Sequence, residues 1–219
     1  QEVMEIYRAM PEVYRVAPLI SVYCRGLRIG EVCALQAKHV DMKQRLLRIR
    51  QGRWYMAGDR LVGSTKTKGS RRDEIIPDAL IPYLEELPAM SAADPEAWLF
   101  PAKSDSSTPV HPNTMRGWYD VARAKAGRPD LRFQDLRHSA LTWIAEDGAT
   151  LKELMASAGH TTTAMAMHYQ HVVGGRDRML ADKLGARLEQ AQPKSMENER
   201  ANIERQIAEL QEKLKNMEP

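Results

Sequence analysis

A chain of 219 residues, 43% hydrophobic and 28% charged, has room for one large domain or two small ones and the balance of a globular protein, which excludes disorder over most of its length. Its longest uncharged apolar stretch, Val16 to Cys24, falls far short of the roughly 20 residues of a membrane span, and no basic segment followed by an apolar one marks the N-terminus for secretion. The net charge of +3 is concentrated: Arg25 to Arg72 holds 13 Lys and Arg against only Glu31, Asp41 and Asp59, the footprint of a face that meets nucleic acid or, more blandly, of a solvated strand surface.

Helical periodicity runs from Glu2 to Met10. Pro11 suits a first helical position before an apolar run that ends at Gly26, a helix-stop residue. A helix is expected from Ile29 to Gln36, then short strands at Leu46–Arg50, Arg53–Met56, Arg60–Val62 and Asp73–Pro77. After Pro77 the pattern is helical again. A break from Ser91 to Pro112, rich in Ser, Asp and Pro, holds one strand-like run, Trp98-Leu99-Phe100. Helices are then expected at Asn113–Ala126, Gln134–Glu146, Leu151–Ala158, Thr162–His171 and Arg176–Gln190. Beyond Pro193, Ser195 can cap a last helix whose Ile203, Ile207, Leu210, Leu214 and Met217 recur at steps of four and three. That stripe suits a short coiled coil or an amphipathic helix docked on its own domain or on a neighbour. The expectation is a mainly α fold with a small antiparallel β-sheet (α+β), residues 1–190 as one domain and 191–219 as a tail. Cys24 and Cys33, in apolar surroundings, are expected to be buried and inert.

Some motifs carry no chemistry. Gly58 to Thr65 has the glycine spacing of a phosphate-binding loop, but Ser64 stands where that loop needs lysine, and the segment reads as a hairpin turn. His168 and His171 lack further ligands at a recognisable spacing, and no acidic cluster suggests paired magnesium ions. No metal or other cofactor is expected.

Four segments form a constellation: Gly26-Leu27-Arg28-Ile29-Gly30-Glu31; Thr65-Lys66-Thr67-Lys68-Gly69-Ser70-Arg71-Arg72; Gln134-Asp135-Leu136-Arg137-His138; and Gly159-His160 followed by Tyr169. Singly, each has an ordinary reading, as surface cations, a helix cap or a half-buried aromatic. Together and in this order they resemble the catalytic domain of the tyrosine recombinases, the phage integrase family, over about Glu2 to Leu188. The resemblance implies that family's fold and a site-specific DNA recombinase, with Tyr169 as nucleophile, Arg28 and Arg137 on the scissile phosphate, His160 beside it, and Lys66, or the nearby Lys68, as general acid. Gln134 stands where the family usually has histidine. It further implies double-stranded DNA attachment sites, a homo-tetramer on DNA, accessory DNA-bending or directionality proteins, and work in a bacterial cytoplasm on the nucleoid. The family's N-terminal core-binding domain is expected to be absent from this chain. Rival readings are a type IB topoisomerase and a DNA-binding module whose catalysis has lapsed. Glu31, three residues after Arg28, can orient that guanidinium or form an ordinary surface pair. Asp135 can cap the helix that carries Arg137.

Overall fold

The computed structural model describes residues 1–56, 59–64, 71–158, 181–187 and 204–207, with the side chains of all but 54–56, 59–64 and 158. The chain divides into two compact units, Gln1–Val173 and Gly174–Pro219.

In the first unit, α1 (Glu2–Ala9) turns Val3, Ile6 and Tyr7 inward, the i, i+3, i+4 spacing of one helical face. A 3-10 turn at Glu12–Tyr14 follows Pro11. Then α2 (Val16–Tyr23) is buried at every position from Val16 to Val22, which makes it the central helix, packed against α1 and against a later helix, α7 (Phe133–Glu146). Arg25 (φ 59°) and Gly26 (φ 80°) reverse the chain in left-handed backbone. Two reciprocal bonds close this turn, Leu27 N–H to the Ser21 carbonyl at 3.0 Å and the Ser21 hydroxyl to the Leu27 carbonyl at 2.9 Å. The next helix, α3 (Ile29–Cys33), is shorter than the expected run to Gln36, because a 3-10 turn at Ala37–His39 takes over.

The sheet orders β1 (Val40–Asp41), β2 (Leu46–Ile49) and β5 (Arg72–Ile75) antiparallel, while β3 (Gln51–Met56) and β4 (Asp59–Ser64) pair with each other. The glycine-spaced segment from Gly58 therefore enters a strand, where a P-loop would open a helix. Register makes a second point. Gln51 faces Ser64 and Ile49 faces Arg72, so β2 leads into β3 on one side while β4 and β5 are separated on the other. Lys66 and Lys68 fall between β4 and β5 in the chain, outside the described residues.

Residues 78–91 form a 3-10 turn and two short helices, α4 (Ile81–Glu85) and α5 (Pro88–Ser91). The expected break after Ser91 contains a hairpin, β6 (Pro101–Ala102) with β7 (Asp105–Pro109). Trp98 makes only an isolated bridge to Gln36, and Leu99 and Phe100 are core residues rather than a strand. In α6 (Pro112–Lys125), Met115, Tyr119 and Ala122 face the core. A cap at Thr150, whose N–H and hydroxyl both bond Glu153, starts α8 (Leu151–Ala158), and Leu154 joins Leu141 and Ala145 of α7 in a second small cluster. Cys24 and Cys33 are both buried. Burial drives the Cys24 thiol well above its usual range and pushes Cys33 up to about 12, so neither ionises near neutral pH.

In the second unit, residues 181–187 and 204–207 are helical and exposed, with Leu184 and Ile207 among the exposed large apolar side chains. The expected boundary at 190/191 and Ile203, Leu210, Leu214 and Met217 lie outside the described residues.

Candidate active site

Arg28 sits at the start of α3, and its surroundings begin with Glu31. The Glu31 carboxylate accepts the Arg28 backbone N–H at 2.9 Å and its Nη1 at 3.3 Å. This is no surface pair, because Glu31 is 3% exposed and is also held by Arg72, whose Nη1 and Nη2 reach its two oxygens at 3.2 and 3.1 Å. Arg72 continues to Glu74 through Nε at 2.7 Å, and Arg25 stands 3.9 Å from the other Glu74 oxygen. Burial works to raise the Glu31 carboxyl, but Arg72 and Arg28 outweigh it and hold it below the usual range. At Glu74 burial wins over Arg72 and Arg25, and the carboxyl is raised. Arg72 and Glu74 occupy alternate positions of one strand and so share a face. That i, i+2 spacing is the only sign of the pair in the sequence.

Arg137 is buried in α7 and donates to the Gly26 carbonyl oxygen. The contact is close: a Cβ on Gly26 would stand 3.0 Å from Arg137 Cγ and 3.2 Å from its carbonyl oxygen. On the other side of α3, a Cβ on Gly30 would lie 2.5 Å from the Arg53 carbonyl oxygen of β3. Two glycines thus let α7 and β3 press on the segment that presents Arg28. The Asp135 carboxylate reaches back to the Arg132 N–H at 2.8 Å and caps α7. Gln134 is exposed where Arg137 is buried, so helical spacing alone did not put them in one environment. Arg25 Nη1 is 3.5 Å from the Ser157 hydroxyl near the end of α8. Lys66, His160 and Tyr169, with His168 and His171, lie outside the described residues.

The basic block is less basic in space than along the chain. Lys38 pairs with Glu96, Arg45 with Asp78 and Arg50 with Asp73, all acids beyond the 25–72 window. The half-exposed Arg25 and Arg28, against nearly buried carboxylates, are where positive charge meets solvent beside the turn that Arg137 fixes. Such a pair of guanidinium-bearing segments, held by a backbone carbonyl and two glycines, suits bidentate recognition of a tetrahedral oxyanion.

The sequence pattern of the phage integrase family matches residues 1–174. This chain belongs to the phage integrase family. It is 36% identical over 181 residues to a protein named as a prophage phiRv2 integrase of Mycobacterium tuberculosis, covering 82% of this chain and 48% of that protein. To the integrase of Mycobacterium phage L5 it is 35% identical over 185 residues, 79% of this chain and 47% of the relative. To the tyrosine recombinase XerC of a Mycobacterium sp. (strain KMS) it is 31% identical over 164 residues, 74% and 50%. The chain thus spans about half the length of the curated relatives it matches. Among solved structures, the Tn1549 transposon integrase in complex with transposon right end DNA superimposes with a TM-score of 0.66 at 19% identity, over 79% of this chain and 59% of that one. XerA recombinase gives 0.62 at 18%, over 83% and 61%. The expected fold, mostly helical with a small antiparallel sheet, is that of the tyrosine recombinase catalytic domains. Among the described residues no helix is long and apolar enough to cross a membrane.

Proposed function

We propose that this chain carries the catalytic part of a site-specific DNA recombinase, most like a phage or prophage integrase, that cleaves and rejoins double-stranded attachment sites through Tyr169. The observation that carries this reading is the Gly26–Arg137 contact, which seats one candidate phosphate-binding arginine against the turn that leads to the other. A free tyrosine hydroxyl, with a pKa of about 10, is a weak nucleophile at neutral pH. Attack by the Tyr169 oxygen on the scissile phosphorus forms one P–O bond and breaks the bond to the 5′ oxygen. The phenol proton passes to His160 or to water, and Lys66, or the nearby Lys68, delivers a proton to the departing 5′ oxygen. Arg28 and Arg137 take up the charge that spreads over the non-bridging oxygens. One phosphodiester is exchanged for one phosphotyrosyl ester, so a 5′ hydroxyl rejoins the strand without ATP and without metal. In a bacterial cell the work would be done on the nucleoid, by a homo-tetramer spanning two sites and assisted by DNA-bending or directionality proteins. The exposed Ile207 supports a role for residues 191–219 in protomer association; removal of residues after Gln190 then weakens assembly on DNA and spares cleavage at a single site.

The test is a nicked substrate that traps the covalent intermediate. The parent chain gives an SDS-resistant DNA adduct at Tyr169, and two cognate sites recombine. An adduct with relaxation of a supercoiled plasmid but no exchange between sites would identify a topoisomerase, and DNA binding without adduct would identify a module whose catalysis has lapsed.

A further inference from the structure

We propose that Arg72 is a positioning residue for DNA cleavage, its guanidinium joining the carboxylate that holds Arg28 to the strand at which the Lys66-bearing stretch ends. The inference rests on the reading of Arg28 as a ligand of the scissile phosphate. Arg72 opens β5, where its backbone faces Ile49 and its carbonyl accepts Arg50 Nη1 at 2.9 Å. Its side chain is 8% exposed, so it meets no DNA itself. A carboxylate held only by Arg28 could turn about its own torsions. Contacts from Arg72 to both Glu31 oxygens, at 3.2 and 3.1 Å, fix the plane of that carboxylate. The fixed carboxylate in turn holds the Arg28 N–H and guanidinium, and bidentate geometry is what makes such a hold directional. The Nε bond to Glu74 at 2.7 Å secures Arg72 in its own strand. Residues 65–71 end where Arg72 begins β5, so a single side chain registers the start of α3 against the root of that stretch. Arg25 and Arg28 are half-exposed against these nearly buried carboxylates, on the side where an anion can approach.

The experiment uses the full chain with Arg72→Lys, which keeps the charge and loses the two-point hold, and with Arg72→Met/Glu74→Gln, which removes the hold without orphaning Glu74. Arg28→Ala is the reference. Each is given one nicked substrate with a normal scissile phosphate and one with a methylphosphonate there, which has a single non-bridging oxygen and no negative charge for a guanidinium to neutralise. Both Arg72 variants should bind DNA within about threefold of the parent and form adduct on the phosphate about 30-fold more slowly, the loss expected for a misplaced charge-assisted contact. Their methylphosphonate-to-phosphate rate ratio should rise about tenfold or more, in the direction set by Arg28→Ala. A ratio at the parental value, with cleavage slowed, would make Arg72 merely structural and overturn the proposal, as would cleavage within threefold of the parent. If only one variant folds, its ratio decides. Should Arg28→Ala itself cleave the phosphate at the parental rate, the reading of Arg28 fails, a result distinct from either outcome for Arg72.

Discussion

The guanidinium of Arg137 donates to the carbonyl oxygen of Gly26, 111 residues earlier in the chain. Gly26 has φ of 80° and Arg137 Cγ at 3.0 Å from where its Cβ would be, so an alanine there meets both backbone strain and a blocked approach. Gly26→Ala is expected to cost about 1–3 kcal/mol of stability and to slow covalent adduct formation more than DNA binding. Denaturant unfolding and adduct kinetics on one preparation check both.

Gly30 and Gly117 make a matched pair. A Cβ at Gly30 would overlap the Arg53 carbonyl oxygen at 2.5 Å, whereas nothing lies within 4 Å of one at Gly117 in α6. Gly30→Ala should destabilise by about 2 kcal/mol or more, because backbone must move. Gly117→Ala should stabilise by about 0.5–1 kcal/mol through helix propensity. Equal effects of the two substitutions would refute the close packing of α3 on β3.

His39 gives a pH dependence. Its Nδ1 accepts the Gln36 N–H at 3.0 Å. Burial first, then Lys38 and Arg50, push it down from 6.5 to about 4. Between those values the unfolded chain binds a proton that the folded chain refuses. This contribution is therefore intact above pH 6.5 and lost as pH falls towards 4, by up to about 3 kcal/mol. His39→Asn keeps an acceptor for Gln36 and does not titrate, so its stability should fall less steeply over that window. Parallel curves for parent and variant would exclude His39 as the source.

Gln134 is exposed on the first turn of α7, where an amide can donate to a phosphate but cannot exchange protons near neutral pH. Gln134→His should therefore be tolerated, with cleavage as fast or faster, and His160→Ala should do more damage than Gln134→Ala. Initial rates on one nicked substrate across pH provide the comparison; a Gln134→His enzyme that binds DNA and cannot cleave would defeat the prediction.

Tyr119 and Tyr169 separate the two uses of a tyrosine. Tyr119 is fully buried, edge-on to Phe133 at 5.1 Å, and its hydroxyl finds no hydrogen-bond partner among the described residues. Burial drives its pKa well above the usual value, the reverse of what a nucleophile needs. Tyr119→Phe should leave cleavage intact and stability unchanged or about 1 kcal/mol higher, whereas Tyr169→Phe should bind DNA and form no adduct. Peptide mapping of the trapped adduct distinguishes the two tyrosines.

Local signals were strong enough in the sequence to mark α1, α6, α7 and α8, strands β2 to β5 and the turn at Gly26, because apolar periodicity, glycine and capping residues act over a few positions. The four-segment order was enough to name the family. Nothing local marked β1, the β6–β7 hairpin or Leu99 and Phe100 as core, since those depend on what the rest of the chain brings beside them. On β5 the ordinary pattern is inverted: Glu74 is buried while Ile75 is 55% exposed, because Arg72, itself held by the distant Glu31, offsets part of the desolvation of the Glu74 carboxylate. The charge of the basic block was likewise a statement about sequence windows, and the fold answers much of it with Asp73, Asp78 and Glu96. Which arginines remain to meet an anion, and which one serves only to hold another, was decided by tertiary contacts, because an ion pair forms between side chains that are close in space whatever their separation along the chain.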